Sequence, residues 1–546
     1  MKQILSLFYR LICLVRSMQG IEKKLIMKKI AAFLFLGVMV IGTSCKKYLD
    51  INKDPNRAVA ATPQLILPQA LTGTASNLNG FNSYGAQLVG YMANAGGYGG
   101  FGTSITYNFS ANDFSGRWTS TYDNLEDYQA ILNQTEGKPE MSYFDAAARI
   151  MKALNFQLLV DAYNDVPYTE ALKGGDVLTP SYTDAKVIYK DLVSQLDMAI
   201  ASINTGNSTT GVKPLGNSDV MFGGDMEMWK QFANTLKLRI IIHGNGKVDF
   251  GSTSFTDDGF LTEDALINPG YTRDNGRQNP KWNTWGFGYT GSDANKAWMP
   301  NTFVFSFYNG VKLDDPGRGK AIYYKYPTTG TNRLGVEGQN IQSSPSGSFW
   351  YPGTDRNGQT AGNSTGVLKG PQAGMPVITA AESYFLQAEA AVRGLLPNAD
   401  AATLFNDGIV ASFRYLYTLP DGTISGDPEG DAAKYMAANS TSYLVNFSLA
   451  STMEQKIEAI ITQKYIALNM VNSDEAWNEY RRTHYPAILN TAGATGTQTF
   501  ASSVSESTRP DRLPTRILYP TSEGSYNSAN VPKGISPFSS TIFWAL

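Results

Sequence analysis

Cysteine and histidine are scarce in this chain of 546 residues, which has two of each. A disulfide framework, a haem attached through C-x-x-C-H and a four-ligand zinc site therefore lack the residues that they need. Positive charge is not in excess either, because 45 lysine and arginine residues stand against 47 aspartate and glutamate residues. That balance argues against a nucleic-acid-binding protein. We predict no metal, no cofactor and no nucleic-acid partner.

Residues 1–44 are typical of a signal peptide. In residues 27–45, MKKIAAFLFLGVMVIGTSC, two lysines precede an apolar run of 12 residues, and small residues precede Cys45. The run has the length of a signal-peptide core and is too short to span a bilayer. The small residues before Cys45 indicate a bacterial lipobox, so we predict that Cys45 is lipidated. A plain secretory signal with an incidental cysteine is the alternative.

The start of translation is predicted at Met27, where the better signal begins; an extended segment from Met1 is the alternative. Residues 45–63 are predicted to form a polar, lipidated tether. Asp50, Asn52 and Asp54 have calcium-loop spacing, but Pro55 stands where such a loop needs glycine, which favours a cluster of Asx turns. Residues 45–546 hold 38 basic and 46 acidic residues, a net charge of −8, and no further run long enough to cross a membrane.

Apolar residues recur at helical spacing in two groups of segments, at about 117–243 and 379–482. Helix pairs with alanine at close contacts and aromatic residues opposite them resemble tetratricopeptide hairpins, although loops of unequal length break the 34-residue period. Between the two groups, residues 244–378 are rich in glycine, polar residues and aromatic rings. We predict a mostly α fold: one domain over 64–546, with a helix-pair scaffold, long irregular insertions and a few short strands.

The irregular lobe at 244–378 contains four of the eight tryptophans within 69 residues. Flat rings among asparagine, aspartate and threonine suit a sugar, whose C–H face stacks on the ring while its hydroxyls form hydrogen bonds. Asn283, Thr284 and Gly286 favour a turn that would point Trp282 and Trp285 outward. We therefore predict an aromatic platform for a glycan or peptide, although the same rings could form the core of the lobe. The platform residues are Trp282, Trp285, Tyr289, Trp298, Trp350 and Tyr351.

Signatures of catalysis are weak in the sequence. G-x-S-x-G occurs once, as GNSTG at 362–366 in the stretch without sustained helical period, and no H-E-x-x-H or Walker A motif occurs. His243 follows an apolar run and is interpreted as a packed residue at a helix end. A glycosidase needs only two suitably spaced carboxylates, and these could be Asp314 with Asp315, or Glu382 with Glu389. We predict that the protein is not an enzyme, and a surface glycoside hydrolase is the alternative.

Several stretches resemble the SusD/RagB family of nutrient-binding outer-membrane lipoproteins, in particular its SusD-like branch. Residues 46–56, KKYLDINKDPN, are similar to the opening of the family, and residues 159–172, LVDAYNDVPYTEAL, to its helix-exit motif. In that motif Asn164 replaces the commonest glycine, and asparagine also tolerates a left-handed turn. Further similar stretches are 229–239 (WKQFANTLKLR), 379–390 (TAAESYFLQAEA), 476–483 (AWNEYRRT) and 512–523 (RLPTRILYPTSE).

The resemblance covers nearly the whole chain after Cys45 and implies a function. It implies a protein held at the outer membrane by its lipid and facing the cell exterior. It also implies a SusC-like TonB-dependent transporter as the partner that receives the glycan or peptide. The family's ligand residues lie in variable loops and match no motif, so the platform depends on the aromatic residues alone. A lid that opens and closes the transporter without binding ligand is a third interpretation.

Overall fold

A computed structural model describes residues 61–491 and 493–546. Its first group of long helices comprises α1 Pro63–Leu88, α2 Ser115–Thr135, α3 Ser142–Tyr163, α4 Ala185–Ser208 and α5 Met226–Gly244. Each of these helices packs against the next one along the chain. The carboxylates of Asp184 and Asp225 accept backbone N–H groups at the starts of α4 and α5, which satisfies donors that a helix leaves unpaired.

The second group comprises α6 Ala380–Val392, α7 Ala401–Tyr417, α8 Pro428–Ala438, α9 Met453–Ala467 and α10 Ser473–Thr483. Helix α6 packs against α7, α9 and α5, and α10 packs against α1, so the two groups share one core. Residues Thr62–Leu546 form one compact unit. The predicted mostly α fold of paired helices is confirmed.

Helix α1 is absent from the prediction, because its three glycines and Pro68 reduce its intrinsic helix propensity. Packing supplies the stability instead: Leu67, Leu71 and Leu78 are buried on one face. Gly85 allows α10 to approach closely, since a Cβ atom there would lie 2.4 Å from the Ser473 carbonyl oxygen. Pro63, assigned to the tether by the sequence, is the first residue of this helix.

Short strands and short helices lie outside the long helices, and several of them build the irregular lobe. The strands are β1 Met92–Asn94, β2 Val166–Pro167, β3 Tyr182–Thr183, β4 Ala265–Ile267, β5 Trp298–Pro300 and β6 Met375–Ile378. They pair antiparallel as β1 with β5, β2 with β3 and β4 with β6. The short helices are Thr103–Thr106, Pro280–Trp285, Thr302–Phe305, Pro316–Ile322 and Thr521–Tyr526. Strand β1 belongs to the segment after α1, so the lobe includes residues from outside 244–378.

Two lysines of the lobe, the buried Lys281 and the partly buried Lys369, hold it against segments at the ends of scaffold helices. Lys281 Nζ donates to the carbonyl oxygens of Met470 and Val471, beyond α9, at 2.6 and 2.9 Å. Lys369 Nζ donates to the Tyr415 and Thr418 carbonyl oxygens at the end of α7. Tyr415 lies in the last turn of α7, where carbonyl groups lack intrahelical partners, so the Lys369 ammonium satisfies its carbonyl. The lobe is thereby fixed to the end of α7 and to the connection between α9 and α10.

The signal peptide, Cys45, most of the tether and the calcium-like spacing at Asp50, Asn52 and Asp54 lie outside the described residues. Asn164 has a positive φ of 66°, but its ψ of −110° lies outside the left-handed helical region, in a conformation that favours the glycine that is commonest in the motif. Within residues 61–491 and 493–546, none of the helices combines the length and apolar character that a membrane span requires.

Candidate functional site

Four of the six predicted platform residues lie in the core of the lobe. Trp282, Trp285, Trp350 and Tyr351 are each at most 3% exposed. Their rings pack edge to face, with centroids 5.4 Å apart for Trp282 and Tyr351 and 5.9 Å apart for Trp285 and Trp350. These four residues therefore offer no open face to a ligand in this structure.

The predicted outward turn at Trp282 and Trp285 is wrong. The segment forms the helix Pro280–Trp285, which begins where the Asn279 side chain accepts the Trp282 backbone N–H at 2.9 Å. Residues three apart lie on the same face of a helix, so both indoles point into the lobe together. Residues 283, 284 and 286 fit a turn locally, but burial of two large rings outweighs that preference.

Tyr289 and Trp298 remain accessible. Tyr289 is 44% exposed and lies at the tip of a tight loop, where Gly288 N–H donates to the Ser292 carbonyl oxygen at 2.9 Å. Trp298 begins β5, is half-buried and packs edge to face on Phe101 with centroids 5.5 Å apart. Through its contact with Phe101, Trp298 connects the lobe to a further loop, one that the sequence did not predict as part of the site.

That loop, residues 95–102, has the sequence AGGYGGFG and presents Tyr98, which is 47% exposed. It lies against residues 337–347: Gly96 N–H donates to the Gln342 carbonyl oxygen at 3.1 Å, and Ser343 Oγ donates to the Gly96 carbonyl oxygen at 2.9 Å. A Cβ atom on Gly96 would lie 1.7 Å from the Ile341 carbonyl oxygen, so only glycine permits this contact.

Residues 288–298 complete the surface. Ala95 N–H donates to the Ala297 carbonyl oxygen at 2.8 Å, and Ser344 Oγ donates to the Trp298 carbonyl oxygen at 2.8 Å. Asp293 accepts the Gly347 N–H and the Ser346 hydroxyl, both at 2.9 Å. We call residues 95–102, 288–298 and 337–347 the three-loop surface.

The polar character of the three-loop surface complements its rings. Gln339, Asn340 and Gln342 are exposed on its third loop, so the surface offers amide donors and acceptors as well as rings. Burial alone would raise the pKa of Asp293, but hydrogen bonds from Gly347, Ser346 and Lys296 outweigh it and lower that pKa. Asp293 is therefore a carboxylate at neutral pH and links two of the loops.

The family-like motifs meet elsewhere, in a network that we call the buried ion network: Asp161, Arg239, His243, Glu382, Glu389, Lys464, Glu475, Glu479 and Arg482. Arg239 Nη1 lies 3.0 Å from Glu382 Oε1, and Arg482 Nη2 lies 2.7 Å from Glu389 Oε2. All nine residues are at most 8% exposed. They join α3, α5, α6, α9 and α10, so these motifs stabilise the scaffold.

His243 is packed at the end of α5, as the sequence predicted. Burial lowers its pKa, but Glu475 and Asp161 outweigh that effect and raise it to about 9. The ligand atoms of His243, Glu475 and Glu479 lie within 4.8 Å of one another, as a metal site would require. However, Lys464 Nζ lies 2.7 Å from both glutamates and already provides the positive charge that they need.

Three of the four carboxylates considered for hydrolysis are buried and paired with an arginine. Asp315 is buried, 2.5 Å from Arg318 Nε. Glu382 and Glu389 each accept from an arginine of the buried ion network. Asp314 alone is exposed. A glycosidase needs two carboxyl groups flanking an open cleft, and these pairs do not provide them.

The architecture defines a class: a tetratricopeptide-like scaffold with inserted loops that carry an aromatic surface. A SusD-like family model, described as "Starch-binding associating with outer membrane", matches residues 55–520. The chain therefore belongs to the SusD-like family, whose members associate with the outer membrane and bind nutrients. None of the proteins with curated descriptions matches it.

Solved structures share the fold. A SusD-like protein of Bacteroidetes AC2a is 20% identical and covers 89% of this chain and 100% of its own, with a TM-score of 0.65. A SusD/RagB family protein from Bacteroides thetaiotaomicron is 18% identical, with coverage of 89% and 99% and a TM-score of 0.65. A chitin-binding SusD homologue from Flavobacterium johnsoniae is 21% identical, with coverage of 87% and 98% and a TM-score of 0.62.

Proposed function

We propose that this protein captures oligomeric nutrient at the three-loop surface and delivers it to a SusC-like TonB-dependent transporter. The ligand is a glycan in the first instance, and a peptide is the second class to test. Lipid on Cys45 anchors the chain in the outer membrane, facing the cell exterior. The observation that carries the proposal is the clustering of accessible rings and amides on loops that hydrogen bonds hold together.

The chemistry of the three-loop surface favours sugars. Tyr98, Tyr289 and Trp298 provide ring faces or edges for the apolar side of a pyranose. Exposed Gln342 and its neighbouring amides can both donate to and accept from hydroxyl groups. The first probes are fragments of chitin and starch. Chitin is the ligand named for one of the similar solved structures, and starch is named in the family description.

Binding of malto-oligosaccharides, chito-oligosaccharides and a set of short peptides to the purified full chain tests the proposal. Tyr98→Ala, Tyr289→Ala and Trp298→Ala should each weaken binding by about fivefold to tenfold, because a ring stacked on a ligand contributes on the order of 1 kcal/mol beyond its buried area. Tyr526→Ala is the matched control, because that ring is 81% exposed on the helix Thr521–Tyr526, outside the three loops.

The proposal fails if all three variants bind the ligand as tightly as the parent protein and the control Tyr526→Ala do. Analysis of the same mixtures for shortened oligosaccharides tests the hydrolase alternative, because a binding protein leaves its ligand intact. Binding by the purified chain also separates a ligand-capturing protein from a lid without affinity of its own.

Affinity purification from detergent-solubilised outer membranes tests the partner. We expect a large TonB-dependent barrel protein to be recovered with the chain. Repeated recovery of the lipoprotein alone would count against delivery to a transporter, and it would leave the ligand-binding proposal to be decided by the oligosaccharide measurements.

A further inference from the structure

A polar pocket of about 430 Å³ opens between α2, α3 and α4, which contribute no residue to the three-loop surface. We call it the α2–α4 pocket. Its polar lining includes Gln129 from α2, Arg149 and Lys152 from α3, and Gln195 from α4. Two carboxylates also line it, Glu136 directly after α2 and Asp191 on α4, so the cationic wall formed by α3 faces acidic residues at the other two helices. The volume is within the range of small-molecule sites, and the walls are side chains of three rigid helices.

Two cations share one wall of this pocket. Arg149 and Lys152 are one turn apart on α3, so they project side by side. Lys152 Nζ donates to Gln129 Oε1 at 2.6 Å, and Arg149 Nη1 donates to Gln195 Oε1 at 2.8 Å. The side-chain oxygens of Gln129 and Gln195 thus face Lys152 and Arg149, respectively. These two contacts orient the cationic groups from opposite sides of the pocket.

The two cationic groups retain unused hydrogen-bond donors. Lysine has three N–H donors and arginine has five. Besides Gln195, Arg149 donates to Asp145 at 2.7 Å, whereas Lys152 has no carboxylate within 4.0 Å among residues 61–491 and 493–546. The remaining donors of this wall are available to oxygen acceptors, and a carboxylate provides two in a geometry suited to arginine.

The charges around Lys152 point the same way. Burial and the neighbouring charge of Arg149 together lower the pKa of Lys152 to about 8, although Asp191 and Glu126 oppose the shift. Asp191 is already bound by the Tyr168 hydroxyl at 2.5 Å and by Gln195 Nε2 at 3.3 Å. A carboxylate beside Lys152 would favour the charged form of the lysine and offset the repulsion from Arg149.

We propose that the α2–α4 pocket binds a small carboxylate ligand, with its carboxylate on Arg149 and Lys152. Hydroxyl or amide groups of the same ligand would then face Asp191 and Asn133, the acceptors and donors on the other two helices. An acidic sugar and the C-terminal end of a short peptide both bring this chemistry. The proposal is independent of the three-loop surface.

Calorimetric titration of the full chain in detergent tests the pocket, with glucuronate, glucose and glycylglycine as probes. We expect glucuronate or glycylglycine to bind and glucose, which lacks the carboxylate, not to bind. Lys152→Met retains the length of the side chain without its charge and should weaken binding by about tenfold to a hundredfold. Lys186→Met on α4 is the matched control, because Lys186 is exposed and does not line the pocket.

The pH dependence provides a second measurement. Binding should weaken as the pH rises above about 8, where Lys152 loses its proton, and the Lys152→Met variant should lack this dependence. The proposal is overturned if neither carboxylate binds at millimolar concentration, if glucose binds as well as glucuronate, or if Lys152→Met binds like the parent protein. Loss of binding in both lysine variants would also overturn it.

Discussion

Removing the Lys464 ammonium should destabilise the scaffold far more than removing an exposed ammonium that lies at a similar distance from its carboxylate partner. Lys464 Nζ lies 2.7 Å from Glu475 and from Glu479, and its side chain is 1% exposed. Lys434 Nζ lies 2.8 Å from Asp431, and its side chain is 77% exposed. The substitutions Lys464→Met and Lys434→Met therefore compare similar bonds at opposite extremes of burial.

The expected magnitudes differ several-fold. Removing one partner of a buried ion pair costs about 3–5 kcal/mol, because it leaves a charge unpaired in the interior. In Lys464→Met, Glu479 keeps Arg482, and Glu475 keeps His243 at 3.2 Å, so we expect about 3 kcal/mol, the lower end of that range. Lys434→Met should cost less than about 1 kcal/mol, because solvent screens an exposed pair.

Urea denaturation followed by circular dichroism measures both free energies of unfolding. Glu475→Gln added to Lys464→Met should restore part of the loss, since it removes one of the carboxylates that the first substitution left short of a partner. Equal and small losses in Lys464→Met and Lys434→Met would refute the argument that the buried ion network stabilises the fold.

Raising the pH through about 9 should weaken the fold. The folded-state pKa of His243 lies above the ordinary value of 6.5, so its contribution is complete below pH 6.5 and is lost as the pH rises through about 9; His243→Gln should lack this component of the urea midpoint. Trp282→Ala should cost roughly 3–5 kcal/mol of stability, whereas Tyr289→Ala should leave the melting temperature nearly unchanged, because only the first ring is buried. Cys45→Ala should release the protein from the outer-membrane fraction, and normal fractionation of that variant would contradict lipid anchoring. Melting should be insensitive to reductant, because residues 45–546 have a single cysteine.

The helical scaffold was largely predictable because burial of a helix face leaves a local periodic pattern. Leu192, Leu196 and Ile200 of α4, for example, follow this pattern and are buried. Helix α1 escaped prediction because contacts with α2 and α10 stabilise it, and these partners are distant in sequence. Its glycines weaken the local signal at the very positions where close packing requires them.

The candidate site was less predictable, because local sequence does not state which aromatic rings are buried. Trp285 and Trp298 both lie among polar and small residues, yet the first packs on Trp350 and the second reaches the surface. The glycine-rich loop around Tyr98 lies far from residues 244–378 in the chain. Pairing of β1 with β5 brings this loop to the lobe, and that pairing is a long-range contact with no local signature.

The family-like motifs and the proposed ligand surface differ in what they tolerate. Replacing one partner of Arg239–Glu382 or Arg482–Glu389 leaves a charge in the core, which is strongly destabilising. The rings of the three-loop surface are fixed by backbone hydrogen bonds, so an exposed side chain such as Tyr98 can change with little loss of stability. Sequence motifs therefore report the scaffold, whereas the proposed ligand surface consists of loop residues that no motif contains. On this proposal, a change of ligand requires new loop side chains and leaves the buried ion network intact.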